Sequence, residues 1–418
     1  MKKQILTVIG LAALATPALA SKARLQALGE DIYGSAYIND NRNIFLNAAN
    51  IHNYKDMVTF EWGNSSNITD NISTAPNADG SANGPKADGG VLLSAGNYVY
   101  GIYLGDEGND SSLMRVAGGL ATAAAKEENN IGLFFGGDTG VKWGASFVYS
   151  KSENDNATTA IQSVKQEAMR ARLGAFINSN LEAFASINIK NKAESGTTAV
   201  GLLTKGEFEG KLGYRVGAIY NLNDWKAFAT WTKLVGSNEI TDKEQTLSNI
   251  EIGAGRSEKL NEKFTLFTKA SVVMLNTENE SKSDAAGGFS QAAALGNCNF
   301  AIENAGAAAS IVSCEEYSRT SLPVVIGMEY SATSWLMLRG SVTQAIYGKE
   351  KDKDDSRSVN STTVVAAGAS LVFGDMTIDG VVGNNTDGST PGNTGTSSGN
   401  GQLRTDSLLS RVSMTYRF

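Results

Sequence analysis

Histidine is nearly absent from this chain. His52 is the one imidazole in 418 residues, so a multi-histidine zinc site is excluded. A Ser-His-Asp triad would have to be built around that residue alone. Only two cysteines occur, too few for a Cys-based structural zinc site or an iron–sulfur cluster. Beyond the first twenty residues, no stretch of about eighteen consecutive apolar residues occurs, which excludes a transmembrane helix from the remainder. Basic residues are outnumbered, 36 to 43, and nucleic acid is not an expected partner. No cofactor motif is present, so no cofactor, resident metal or catalytic activity is expected. Nothing reads as a linker between domains.

The chain begins with an export address. Lys2 and Lys3 form a basic start, Ile5 to Ala15 an apolar stretch, and Ala18-Leu19-Ala20 a small-x-small cleavage pattern. Cleavage after Ala20 is predicted, which makes residues 1–20 a signal peptide and Ser21 the new N-terminus. The alternative, a retained anchor, would rest on an apolar stretch too short to span a bilayer.

The far end chooses the compartment. Leu408, Ser410, Val412, Met414, Tyr416 and Phe418 alternate with Leu409, Arg411, Ser413, Thr415 and Arg417. This period-2 strand ends on an aromatic residue and resembles the terminal strand of Gram-negative outer-membrane barrels. The resemblance makes Phe418 an assembly signal for the barrel-assembly machinery.

Alternation recurs upstream, as in Val141, Trp143, Ala145, Phe147 and Tyr149 against Lys142, Gly144, Ser146 and Ser150. Sixteen candidate strands can be drawn between residues 57 and 418, with fourteen as the alternative because the first few are weak. Short connections (Ala95 to Asn97, Asn221 to Asp224, Gly374-Asp375) alternate with long ones (Asn64 to Asp88, Asn276 to Thr320, Asn384 to Asp406). Short turns on one side, long loops on the other and an even strand number are the pattern of bacterial outer-membrane barrels. The predicted fold class is therefore all-β. It is a transmembrane antiparallel β-barrel over residues 57–418, preceded by a helical or irregular segment, residues 21–56, that could tuck into the barrel. The expected location is the outer membrane, against lipid and lipopolysaccharide.

Reading one face of each strand as inward gives a charged lumen set. It comprises Lys142, Arg170, Arg172, Glu182, Lys190, Glu209, Lys211, Arg215, Glu251, Lys269, Glu329, Arg339, Arg411 and Arg417. Inward charge implies water, and about sixteen strands leave room for a channel. The leading expectation is thus a porin for passive diffusion of small hydrophilic solutes and ions, with weak anion preference. General porins are trimers, so a homotrimer is a further expectation from that resemblance.

The loops add less. Cys298 and Cys314 lie in one long loop of an exported protein, which predicts a disulfide. Asp106 to Asp110 and Asp352 to Asp355 carry oxygen ligands, but neither has a complete cation-binding spacing. The loops from Asp106 to Glu128 and from Asn276 to Thr320 are equal candidates for an inward constriction.

In the N-terminal segment, Ala23 to Leu28 reads as a short helix closed by Gly29. Together with Ala36-Tyr37-Ile38-Asn39-Asp40-Asn41-Arg42-Asn43-Ile44-Phe45-Leu46-Asn47-Ala48-Ala49, it resembles the N-terminal stretch of porin-like major outer-membrane proteins of predatory and related Gram-negative bacteria. It is also similar to the plug of the long-chain fatty-acid transporter family. Asn39-Asp40-Asn41 precedes Phe45 and Asn47-Ala48-Ala49, where that family carries Asn-Pro-Ala; Ala48 stands at the proline position. That resemblance implies uptake of hydrophobic compounds, which needs an apolar internal pocket. The inward faces read as too polar for one, so this function ranks second. A structural or adhesive surface protein ranks third. His52, beside the plug-like stretch, reads as a structural or solvated residue.

Overall fold

A computed structural model describes residues 21–63, 86–106, 115, 127, 129–154, 163–199, 202–238, 243–281, 316–352, 356–358, 363–384 and 411–418. Cys298 and Cys314 lie outside the described residues, as does most of each acidic stretch, 106–110 and 352–355.

Eighteen strand segments form one antiparallel sheet. They are β1 Met57–Gly63, β2 Lys86–Ala95, β3 Tyr98–Leu104, β4 Ile131–Asp138, β5 Lys142–Asn154, β6 Ser163–Phe176, β7 Leu181–Ala199, β8 Leu202–Gly210 and β9 Gly213–Leu222. The others are β10 Trp225–Asn238, β11 Lys243–Lys259, β12 Phe264–Ser281, β13 Glu316–Ser331, β14 Leu336–Asp352, β15 Ser356–Ser358, β16 Thr363–Phe373, β17 Met376–Asn384 and β18 Arg411–Arg417. β8 and β9 lie end to end between the same neighbours, β7 and β10. β15 and β16 likewise both pair with β14. Each pair is one wall strand with an interruption, so the wall has sixteen strands. It closes where β1 pairs with β18, Met57 opposite Arg417. With an even number of strands, both ends of the wall lie at the short-turn rim.

The outward face explains why the closed wall sits in a membrane. Leu133, Leu173, Ile252 and Ile326 are exposed in the middle of the wall, and Ile189 near its upper edge. Tyr98, Phe135, Trp225, Trp335, Phe373 and Tyr416 ring the short-turn rim. On β5 the outward apolar run from Val141 to Tyr149 spans nine residues. At ~3.3 Å per residue and ~40° tilt this rises about 22 Å, close to the apolar band of an outer-membrane barrel. This is the lipid contact of an outer-membrane-type wall. The seven-residue β1 and β3 are shorter than that nine-residue run, whereas β7 and β11 to β14 run 16 to 19 residues and stand above it.

The core lies inside the barrel and is supplied by residues 21–56. The segment holds a helix Lys22–Ala27, a short helix Asn43–Leu46 and a 3-10 turn Ala48–His52. Ser21 caps the first helix, its Oγ accepting from the Arg24 N–H at 3.0 Å. Gly29 follows with φ +76°, the left-handed geometry that lets the chain turn back after the helix. Leu25, Leu28, Tyr37 and Ile38 pack against Phe267 of β12. Ile44, Phe45, Ile51 and Tyr54 pack against Leu92, Val99, Tyr103 and Phe134 of β2, β3 and β4.

Candidate functional site

The site is the barrel lumen, and the plug formed by residues 21–56 dominates it. Two arginines tie the plug to the wall. Arg24 grips Glu329 of β13 with two parallel bonds, Nε at 2.8 Å and Nη2 at 3.0 Å. Its Nη1 donates to Asp40 at 3.0 Å and to the Asn39 carbonyl at 2.9 Å. Arg339 of β14 shares Glu329 and holds Asp379 of β17 at 2.6 Å.

Arg42 is the second tie. Its Nε donates to the Ile32 carbonyl, its Nη1 to the Tyr103 hydroxyl at 2.9 Å. The carboxylates of Glu61, Asp88 and Asp106 lie 3.4 to 3.8 Å from the guanidinium. Its face covers the Phe45 ring, 3.9 Å from the centroid, and Arg172 of β6 approaches the same ring at 5.3 Å. Lys22 adds an ion pair to Asp88. Burying these charges singly would be costly; paired and hydrogen-bonded, they fix the plug in one register.

The wall is hollowed to receive the plug. Gly136, Gly144 and Gly174 sit opposite one another on β4, β5 and β6. A Cβ at Gly144 would fall on the Ala48 carbonyl, one at Gly174 on the Asn47 side chain, and one at Gly136 on Ile51. Asn47 Oδ1 caps the 3-10 turn through the Ala49 N–H at 3.0 Å, and its amide donates to Glu182 at 3.1 Å. His52 Nε2 is 3.0 Å from the Trp143 carbonyl, a structural contact at the same seam.

The connection between β3 and β4 also turns inward at its described residues. Asp106 bridges plug and wall, 3.4 Å from Arg42 and 3.1 Å from Arg172. Glu127 pairs with Arg170 at 3.0 Å, and Arg115 donates to Asn191 at 2.7 Å. Both Asp106 oxygens are committed to arginines, which disfavours a cation role.

Above the plug the inner wall becomes apolar on one side. Leu234, Leu247, Thr277 and Tyr317 stand opposite one another across β10, β11, β12 and β13. Val273 and Leu275 lie just below, and Phe208 of β8 alongside; all six apolar side chains are buried. The sequence-based view that the inward faces are too polar for an apolar pocket is corrected here. Those faces are polar where the plug docks, and above it one side of the wall carries an apolar group beside polar neighbours such as Asn249 and Arg319.

The expected lumen set divides. Arg170, Arg172, Glu182, Arg215, Glu251, Lys269, Glu329, Arg339, Arg411 and Arg417 lie on the inward face. Most of them meet the plug, the inward loop or each other: Lys269 holds Glu30 at 2.7 Å and Arg411 donates to Gln26 at 2.8 Å. Lys142 is exposed at the short-turn rim. Lys190, Glu209 and Lys211 are corrections, for they lie on the outer surface. A register shift between Met169 and Arg170, opposite Asn188 and Lys190, turns Lys190 outward to Glu167 at 2.8 Å. The interruption between β8 and β9 reverses the alternation, so Phe208 faces inward and Glu209 pairs outside with Lys192 at 2.6 Å. Lys211, at that break, pairs with Glu244.

Sequence reasoning missed Arg24, Arg42, Glu61, Asp88 and Asp379, and it placed Asp106 in a candidate inward loop without its arginine partners. The first two sit in a segment without strand alternation, and their partners are far away in sequence. The glycines opposite one another on β4, β5 and β6 were the available signal.

No family model matches the sequence, and no curated protein does. Among solved structures the likeness is to outer-membrane barrels. The Ralstonia pickettii toluene transporter TbuX is 13% identical over 96% of this chain and 99% of that one, at a TM-score of 0.37. The CymD monoaromatic hydrocarbon channel is 10% identical over 97% and 99%, at 0.39. A Pseudomonas aeruginosa FadL homologue is 11% identical over 96% and 98%, at 0.40. Such values reach no further than barrel architecture.

Proposed function

We propose that this protein is an outer-membrane uptake channel for small apolar molecules, held closed by its own residues 21–56. The observation that carries the reading is the buried row above the plug, Leu234, Leu247 and Tyr317 with Thr277 among them, and Leu275 just below. A porin would keep its inward charges in open water; here Arg172, Lys269, Glu329 and Arg339 are buried in ion pairs. An apolar solute seated among such side chains gains about 25 cal/mol for each Å² of its own surface taken out of water. In the same reading residues 1–20 are removed on export, and the strand ending at Phe418 is handed to the assembly machinery.

The test is binding and uptake of an uncharged naphthylamine dye by the refolded protein in vesicles. Wild type should take up the dye, and Leu247→Asp should weaken binding at least tenfold while the wall still folds, since a carboxylate on this apolar surface costs more than about 1.4 kcal/mol. Absence of dye uptake together with free passage of glucose would overturn the reading in favour of the porin.

A further inference from the structure

The outer wall carries a second ordered surface, unconnected with the lumen. On β5 the outward apolar run ends at Tyr149, and Lys151 and Glu153 follow. On β6, read upward from the short turns, it runs from Ile177 to Met169, and Glu167 and Lys165 follow. On β7 it runs from Leu181 to Ile189, and Lys190, paired with Glu167 at 2.8 Å, and Lys192 follow. Each run spans nine residues, so the change from apolar to charged occurs at one height on neighbouring strands.

The charges at that height are in register. Lys151 stands opposite Glu167, Glu167 opposite Lys192, and Lys192 opposite Glu209. In the next row Glu153 stands opposite Lys165. The pairs Lys165–Glu153 and Lys192–Glu209 have side chains 44 to 49% exposed. Ion pairs that open to water contribute little to stability, about 0–1 kcal/mol each. Such pairs are therefore a minor part of what holds the wall together.

We infer that this lattice is a docking surface for the phosphorylated glycolipid headgroups of the outer leaflet, bridged by divalent cations. It lies at the long-loop end, directly above the lipid-facing band, where an outer-leaflet headgroup meets the wall. Its chemistry complements a layer of phosphates held together by Mg²⁺: the lysines meet phosphate, and the glutamates meet the bridging cation. Alternation of sign leaves the surface without a net charge that would repel either component. The weak mutual pairs are exchanged for bonds to phosphate and cation.

The experiment uses the full barrel refolded into phosphatidylcholine vesicles with or without diphosphoryl lipid A, in Mg²⁺ or EDTA. Thermal unfolding is followed by circular dichroism. Lipid A with Mg²⁺ is expected to raise the wild-type midpoint by several degrees, and EDTA to remove most of the rise. The triple variant Lys151→Gln, Lys165→Gln, Lys192→Gln should match wild type in phosphatidylcholine alone and lose the rise with lipid A. An equal rise with phosphatidylglycerol would overturn the proposal by reducing it to general anion attraction. So would a rise that the variant retains, or none at all.

Discussion

Asp40 is held in the lumen by Arg24 and by the Arg42 N–H, at 3.0 and 2.9 Å. Its cluster sets three carboxylates, Asp40, Glu329 and Asp379, against two guanidiniums, Arg24 and Arg339. Burial lifts the Asp40 carboxyl to about 6, although Arg24 and the Arg42 N–H pull it back. A folded value above the ordinary one means that the folded chain keeps a proton the unfolded chain has released. Wild-type stability should therefore fall as pH rises from about 4 to 6, relative to Asp40→Asn, by about 3 kcal/mol. Urea unfolding at pH 4 and pH 7 measures it, and a pH-independent gap between wild type and variant would count against the assignment. None of this was legible in the sequence, because Arg24 and Glu329 are 305 positions apart and only the closed wall brings them together.

At the scale of elements, the plug is held as much by absent side chains as by charges. Gly136, Gly144 and Gly174 face inward on adjacent strands, and backbone or side-chain atoms of residues 47 to 51 occupy the space. Gly144→Val should leave the strand intact, since valine suits a pleated wall better than glycine, but it should displace the Ala48 carbonyl. The expected result is a folded barrel whose ion conductance rises at least several-fold. Gly340→Ala is the control, because the nearest atom to its Cβ is 3.6 Å away. Unchanged conductance in Gly144→Val would mean that the seam does not hold the plug. Alternation read Gly144 and Gly174 correctly as lumen-facing but could not say what fills them. It also stopped short of the upper ends of β7, β12 and β13, residues 191–199, 276–281 and 316–320. There the outer surface leaves the lipid band, and the contrast between the two faces fades.

For the whole molecule, the plug converts a wall wide enough for a channel into a filled cylinder. In planar bilayers the complete barrel should show small or rare conductance steps. A chain lacking residues 22–54 should show large, long-lived ones. Large steps from the complete barrel would instead mean that water passes the plug. The sequence by itself determined an all-β wall with an apolar outward side and narrowed its strand number to sixteen or fourteen, because period-2 alternation and loop lengths are local properties of the chain. Tertiary structure alone decided where Lys190, Glu209 and Lys211 point, since one register shift or strand break reverses every side chain beyond it. It alone also decided that the lumen is filled and that its charges are paired. Those outcomes depend on closing the sheet around a segment that carries no strand pattern of its own.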